Sequence, residues 1–352
     1  MILVDAHLDL SMNALSWDRD LELEVPELNR REVGMTQRGR GHATTTFPEM
    51  RRGEVALSLA TVICRANWPG SPASGVANQE IAYATAQGQL AYYRVLASQG
   101  KLRQVRGRAD LQAHMAAWEE DPASAPLGFI LSMEGADPIV DPAQVASWWA
   151  DGLRVVGLSH YGPSAYAGGT DTEGGLTPRG RRLLAAMRAA GMIVDLTHLA
   201  DQAFWETLEV FDGPVLASHN NCRALVPGGR QFSDEQLRAL IARGGVVGGA
   251  LDAWMLYPGW VKGETQPEVV GLDALVDHLA HICELAGNAE HVGIGSDLDG
   301  GYGTEQTPRD VKTITDLQKV PGLLSARGFS DDDVARVMHG NWLRFFAQHL
   351  PA

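Results

Sequence analysis

The chain has 352 residues, 45% hydrophobic and 20% charged, with 43 acidic against 29 basic side chains and a formal charge of -14. That acidity disfavours polyanionic partners, nucleic acid above all, and no stretch is long and apolar enough for a membrane span. Cys64, Cys222 and Cys283 are scattered, odd in number and without a C-x-x-C pair, so reduced thiols in a cytoplasm are expected rather than disulfides or a thiolate zinc site.

The amino-terminal run MILVDAHLDL passes straight into charged residues with no leader pattern, which again predicts a cytoplasmic protein. It is also the first of eight short apolar runs, at 2–9, 55–62, 128–134, 155–160, 192–198, 215–219, 246–251 and 291–297. Between and after them, helical spacing marks 78–98, 142–150, 178–190, 201–211, 234–243, 272–286 and 331–349. Thr177 before Pro178 predicts an N-cap with proline at the first helical position, and Gly191 predicts the stop. Ser233 with Gln236 predicts a capping box. Strands apolar on both faces and alternating with helices make a parallel sheet, and eight such units predict a closed (β/α)8 TIM barrel. The expectation is one barrel domain over 1–352, with long βα insertions near 20–54 and 63–77 and a mobile loop at 166–175.

The chemistry sits at the strand ends. His7, Asp9, Glu134, His160, His198, His219 and Asp297 all fall at the carboxyl end of a predicted strand, the face on which barrels assemble active sites. His7 and Asp9 are two apart and share one side of their strand, an imidazole–carboxylate pair suited to zinc or a similar cation. Glu134, His198 and His219 enlarge that set to five, more than the three protein ligands of a mononuclear catalytic zinc site, so two divalent ions are expected. None of the four lysines ends a strand, which leaves Glu134 to bridge them. Asp297 is favoured as the proton carrier, with Asp299 two residues on as the alternative. His278 and His281 read as a solvated helix face, and Cys222 as a small buried side chain.

Six segments together resemble the membrane (renal) dipeptidase family of metallopeptidases, peptidase family M19. They are DAHLD at 5–9, SMEG at 132–135, LSHYG at 158–162, GLTPRGRRLLAAMRAAGMIVDLTH at 175–198, SHNNCRAL at 218–225 and GIGSDLDG at 293–300. GNWLRFF at 340–346 is similar to the family's closing helix. The resemblance implies His7 and Asp9 on one metal, His198 and His219 on the other, and Glu134 between them. It further implies that His160 contacts the substrate carbonyl and that Arg230 holds the terminal carboxylate. Arg223 is the alternative, because Gly228 and Gly229 precede Arg230 and Gln231 follows it.

The expected activity is hydrolysis of dipeptides, including those with a D-residue at the carboxyl end, by a water shared between two zinc ions. The partners expected are a small dipeptide and a second copy of the chain in a homodimer, with neither nucleic acid nor membrane. A deaminase or lactonase of the same fold, or a non-catalytic metal-binding barrel, are the alternatives. H-x-D in place of H-x-H, Arg230 and Asp297 count against them.

Overall fold

A computed structural model describes residues 1–352. Nine parallel strands form its sheet: β1 (Leu3–Leu8), β2 (Val55–Ile63), β3 (Leu102–Gln104), β4 (Leu127–Glu134), β5 (Leu153–Gly157), β6 (Ile193–Asp195), β7 (Val215–Leu216), β8 (Val247–Gly249) and β9 (Val292–Ile294). They run in the order β7-β6-β5-β4-β2-β1-β9-β8. The amide of Gly248 donating to the Ala217 carbonyl at 2.8 Å, and that of Ala217 donating to Val246 at 3.0 Å, join β7 to β8 and close the ring. The eight expected strands are therefore the eight staves of a (β/α)8 barrel.

β1 and β4 are buried along their whole length, as strands walled on one side by helices and on the other by the barrel core must be. The predicted caps form as read. Thr177 accepts from the Gly180 amide, Gly191 sits in the left-handed region at φ 78°, and both arms of the Ser233–Gln236 capping box are made. No helix is long and apolar enough to cross a membrane.

Several features depart from the sequence reading, the helices Leu10–Ser16 and Val320–Ala326 among them. β3 and the helix Arg108–Glu120 were not expected; β3 is three residues long, carries Arg103 and Gln104, and pairs with the start of β4 ahead of the point where β5 joins. A run so short and polar has no periodicity to detect. The insertion 20–54 holds two helices, Val25–Arg31 and Phe47–Arg52. The expected mobile loop is instead buried over 166–170, where the Thr170 amide donates to the His160 carbonyl at 2.9 Å and Thr177 to Tyr166 at 2.9 Å. Lastly, the closing helix contains a π-helical turn, Arg336–Gly340, between Asp331–Ala335 and Asn341–His349.

Candidate metal centre and substrate pocket

The strands stop earlier than the apolar runs suggest, and the site residues follow at a fixed interval. β5, β6, β7 and β9 end at Gly157, Asp195, Leu216 and Ile294, and His160, His198, His219 and Asp297 each come three residues later. Beyond these ends, buried carboxylates substitute for neighbouring-strand carbonyls. Asp195 Oδ1 accepts from the amides of Thr197 and Ser218 at 3.0 Å each, and Asp5 Oδ1 accepts from His7 at 3.1 Å and Ser296 at 2.9 Å. His198 and Asp297 take up φ of 68° and 58°, in the left-handed region sparsely used by residues other than glycine. Adjacent strand ends are thus tied to one another, which brings side chains from six strands to one point.

That point is Glu134. Its Oε1 lies 3.2 Å from His198 Nε2, 3.4 Å from His219 Nε2, and 3.6 Å from both His7 Nε2 and His160 Nε2. His7 Nε2 is in turn 3.8 Å from Asp9 Oδ1 and 3.8 Å from Asp297 Oδ1. Three overlapping groups have ligand atoms close enough to share a cation: His7, Glu134 and His219; Glu134, His160 and His198; His7, Asp9 and Asp297. The donors are imidazole nitrogens and carboxylate oxygens, the set that suits zinc and similar divalent ions. His7 Nε2 is buried and has no hydrogen-bond partner, the condition of a ligand atom rather than of a satisfied core histidine.

The hydroxyls behind the cluster orient it. Thr170 Oγ1 is 2.9 Å from His198 Nδ1, Ser218 Oγ is 2.9 Å from His219 Nδ1, and Thr61 Oγ1 donates to Asp9 Oδ1. Such contacts fix ring orientation and tautomer in metal sites. None was legible in the sequence, although Thr61 and Ser218 stand near strand ends where a reader could have looked.

Crowded, buried acids set the electrostatics of the site. Burial lifts the Glu134 carboxyl to about 7 despite the opposing charge of His7. Burial, with Glu134, Asp9 and Asp252 nearby, also raises Asp297 well above its ordinary value. Burial pulls His7 down, but Glu134, Asp9 and Asp297 outweigh it and hold the ring at about 10. His160, His198 and His219 go the other way, pushed well below their usual range by burial and by cationic neighbours that include Arg230. His160, His198 and His219 are thereby kept neutral, the form in which an imidazole can ligate a cation, whereas His7, Glu134 and Asp297 would release protons as a divalent ion bound.

The two residues of each open choice lie in different surroundings. Asp299 turns away from the cluster and accepts from the Thr44 amide at 2.9 Å, the Thr45 amide at 3.0 Å and Thr44 Oγ1 at 2.7 Å, anchoring the 20–54 insertion. Arg223 is paired with Asp201 near the surface at 2.7 and 2.8 Å. Asp297 and Arg230 are the ones that line the pocket over the cluster. Arg230 is 4% exposed and is held by the His219 carbonyl at 2.9 Å and Asn220 Oδ1 at 2.5 Å. The flexibility of Gly228 and Gly229 is therefore no obstacle to its reach.

The pocket has a volume of about 480 Å³, the scale of a small-molecule site, and contains side chains the sequence reading passed over. Arg65 follows β2 and bonds His160 Nδ1, while Asp252 and Lys262 come from the segment after β8. Looking a few residues past each strand, rather than at its last residue, would have found Arg65 and Asp252. One set-aside residue is corrected. His278 is not on a solvated face but buried, its Nδ1 accepting the Cys222 amide at 3.0 Å, whereas His281 pairs with Asp234 at 2.8 Å. Cys222 is buried as expected.

Comparison with known proteins bears on this arrangement. A Claviceps purpurea protein named dipeptidase tcpJ is 32% identical over 200 residues, covering 55% of this chain and 44% of that protein. An Aspergillus oryzae protein, dipeptidase aclJ, is 32% identical over 223 residues, 61% of this chain and 50% of its own. The chain thus spans about half the length of these curated relatives. In fold it is similar to the crystal structure of dipeptidase AC, a metallopeptidase of family M19, with a TM-score of 0.81 at 24% identity over 100% of this chain and 99% of that one. It is also similar to a Rhodobacter sphaeroides metallopeptidase liganded with a phosphinate mimic of L-Ala-D-Ala, with a TM-score of 0.80 at 22% identity over 99% of each chain. The family model for membrane dipeptidase matches residues 1–350, so the chain belongs to the membrane dipeptidase family, peptidase family M19.

Proposed function

We propose that this chain is a metallo-dipeptidase that hydrolyses dipeptides with two divalent ions, zinc in the first instance. The observation that carries the reading is Glu134 Oε1 at 3.2 to 3.6 Å from four histidine Nε2 atoms, beneath a pocket that holds Arg230. His7 with Asp9 would hold one ion and His198 with His219 the other, with Glu134 shared. When bound, such ions supply Lewis acidity to a water and to the scissile carbonyl.

The chain's own residues do the rest. Asp297, 3.8 Å from His7 Nε2, would take a proton from the attacking water and return it to the leaving amine. His160 faces the same carboxylate from the other wall and can donate to the carbonyl oxygen as negative charge develops there. Arg230, with Nη1 on Asn220 and Nη2 on the His219 carbonyl, would offer its remaining N–H to a free carboxylate, and within so small a cavity this limits substrates to very short peptides. The Rhodobacter protein's ligand, a mimic of L-Ala-D-Ala, brings dipeptides with a D-residue at the carboxyl end into the same proposal.

The test is metal content per chain, measured alongside hydrolysis of L-L and L-D dipeptides, free and carboxyl-blocked, before and after chelation. Two ions per chain, with activity lost on chelation and on blocking the carboxyl group, is the expected result. Bound metal without cleavage of any dipeptide would overturn the peptidase reading.

A further inference from the structure

Four cations line this one pocket: Arg38, Arg65, Arg230 and Lys262. None of them forms an ion pair, since every charged contact of the site runs through its histidines. A dipeptide zwitterion brings one carboxylate, for which Arg230 suffices. Of the pocket's acids, Asp9, Glu134 and Asp297 belong to the histidine cluster, leaving only Asp252 to offset the other cations. Asp252 is itself engaged, accepting from Trp254 Nε1 at 2.6 Å and from Gln306 Nε2. Beyond Arg230 the pocket wall therefore carries more positive than negative charge, on a chain whose formal charge is -14, with Arg65 partly buried and Arg38 and Lys262 exposed at its rim.

Arg65 is the best placed of the surplus cations. One arm of its guanidinium meets His160 Nδ1, the other donates to the Ser74 carbonyl at 3.3 Å, and its buried Nε has no partner. Its backbone is fixed, because the Val76 amide donates to the Arg65 carbonyl at 2.8 Å and the Ala66 amide to Asp137 at 2.9 Å. Lys262 reaches in above aromatic faces, with Nζ 4.5 Å from the Trp254 ring centre and 5.9 Å from that of Tyr161. The buried, unpartnered Nε of Arg65 is the donor that a bound anion would satisfy.

We propose that the preferred substrates are dipeptides with an acidic side chain, whose second carboxylate is received by Arg65 in the field of Lys262 and Arg38. This deepens, and rests on, the dipeptidase reading of the same pocket. The acid is carried at either the first or the second residue, and the two placements are separate arms of the test.

The experiment compares Ala-Glu with Ala-Gln and Glu-Ala with Gln-Ala, each in L-L and L-D form where the second residue is chiral. Hydrolysis is measured on the metal-loaded enzyme, and binding by calorimetry on the chelated protein. In at least one arm the acid should exceed its amide isostere by about tenfold or more in both kcat/KM and affinity, the scale of one charge-assisted contact. Arg65→Met should bring that ratio toward one, whatever it does to the absolute rate through His160. Lys262→Met, farther from the cluster, should lower it in the same direction and serves if Arg65→Met does not fold. Acid and amide treated alike by the wild type would overturn the proposal while leaving the dipeptidase reading intact. A preference untouched by both substitutions would overturn the assignment to this wall. Tighter acid binding with no hydrolysis of any dipeptide would support the subsite and remove the peptidase reading instead.

Discussion

His198 Nε2 and His219 Nε2 face each other at 3.1 Å, from the ends of neighbouring strands, and Glu134 Oε1 stands 3.2 and 3.4 Å from them. In the tautomer that puts Nδ1–H of each ring toward Thr170 or Ser218, both Nε2 atoms turn lone pairs toward one another and a carboxylate, with Arg230 Nη2 also 3.3 Å from that of His198. Two lone pairs at that distance repel, and a cation between them turns the repulsion into coordination.

Replacement of Glu134 should therefore cost more than any single histidine. Glu134→Gln is expected to lower metal content to one ion or fewer per chain and kcat by about a thousandfold or more, as removal of a shared charge from a two-metal site would. Elemental analysis and turnover on one dipeptide check both, and full metal content with near-normal turnover would contradict the bridging role.

Thr170 tests the layer behind the ligands. Thr170→Val keeps the shape of the side chain and removes the hydroxyl at 2.9 Å from His198 Nδ1, so metal affinity should fall by about 10- to 100-fold. Competition with a graded chelator measures it, and the fold, followed by circular dichroism, should be retained.

Asp297 and Asp299 should separate cleanly. Asp297→Asn is expected to reduce kcat by about 100- to 10,000-fold, the range for loss of a general base, with little change in melting temperature. Asp299→Asn leaves the amides of Thr44 and Thr45 and the nearby Arg19 without their carboxylate, so it should destabilise the 20–54 insertion first. Thermal unfolding and limited proteolysis distinguish the two losses.

Arg230→Met should act on the substrate's carboxylate alone. KM for free dipeptides is expected to rise by about tenfold or more, while hydrolysis of carboxyl-amidated dipeptides is expected to be poor and to change little. Equal damage to both substrate forms would assign Arg230 to positioning His198 and His219 instead.

Glu32 predicts a pH dependence away from the site. Burial pushes its carboxyl up, but hydrogen bonds from Arg19, the Gly41 amide and Arg40 more than offset this and hold it at about 2. A depressed folded value means stability that is present above the unfolded value of about 4.3 and lost as pH falls toward 2. Glu32→Gln should remove about 2 kcal/mol or more at neutral pH and flatten the acid limb of the stability curve. Urea unfolding between pH 2 and 7 gives the answer, and parallel wild-type and variant curves would contradict it.

The sequence by itself determined the barrel and the group of side chains gathered at its mouth. Eight apolar runs alternating with helices leave few ways to bury both faces of a parallel sheet, and polar residues placed at the ends of such runs must meet at one mouth. His7, Asp9, Glu134, His198 and His219 were legible for that reason, and the capped helices because caps are local chemistry within three or four residues. Only the tertiary structure decided which of two nearby residues faces the pocket. Asp297 and Asp299 are two positions apart, and the choice between them was made by Thr44 and Thr45, more than 250 residues away in the chain. Arg230 was separated from Arg223 by the ion partner Asp201, and Thr170 and Arg65 entered the site because distant loops close over His198 and His160. Such contacts leave no periodic trace, since each depends on where a strand ends and which neighbour's carboxylate or hydroxyl completes it.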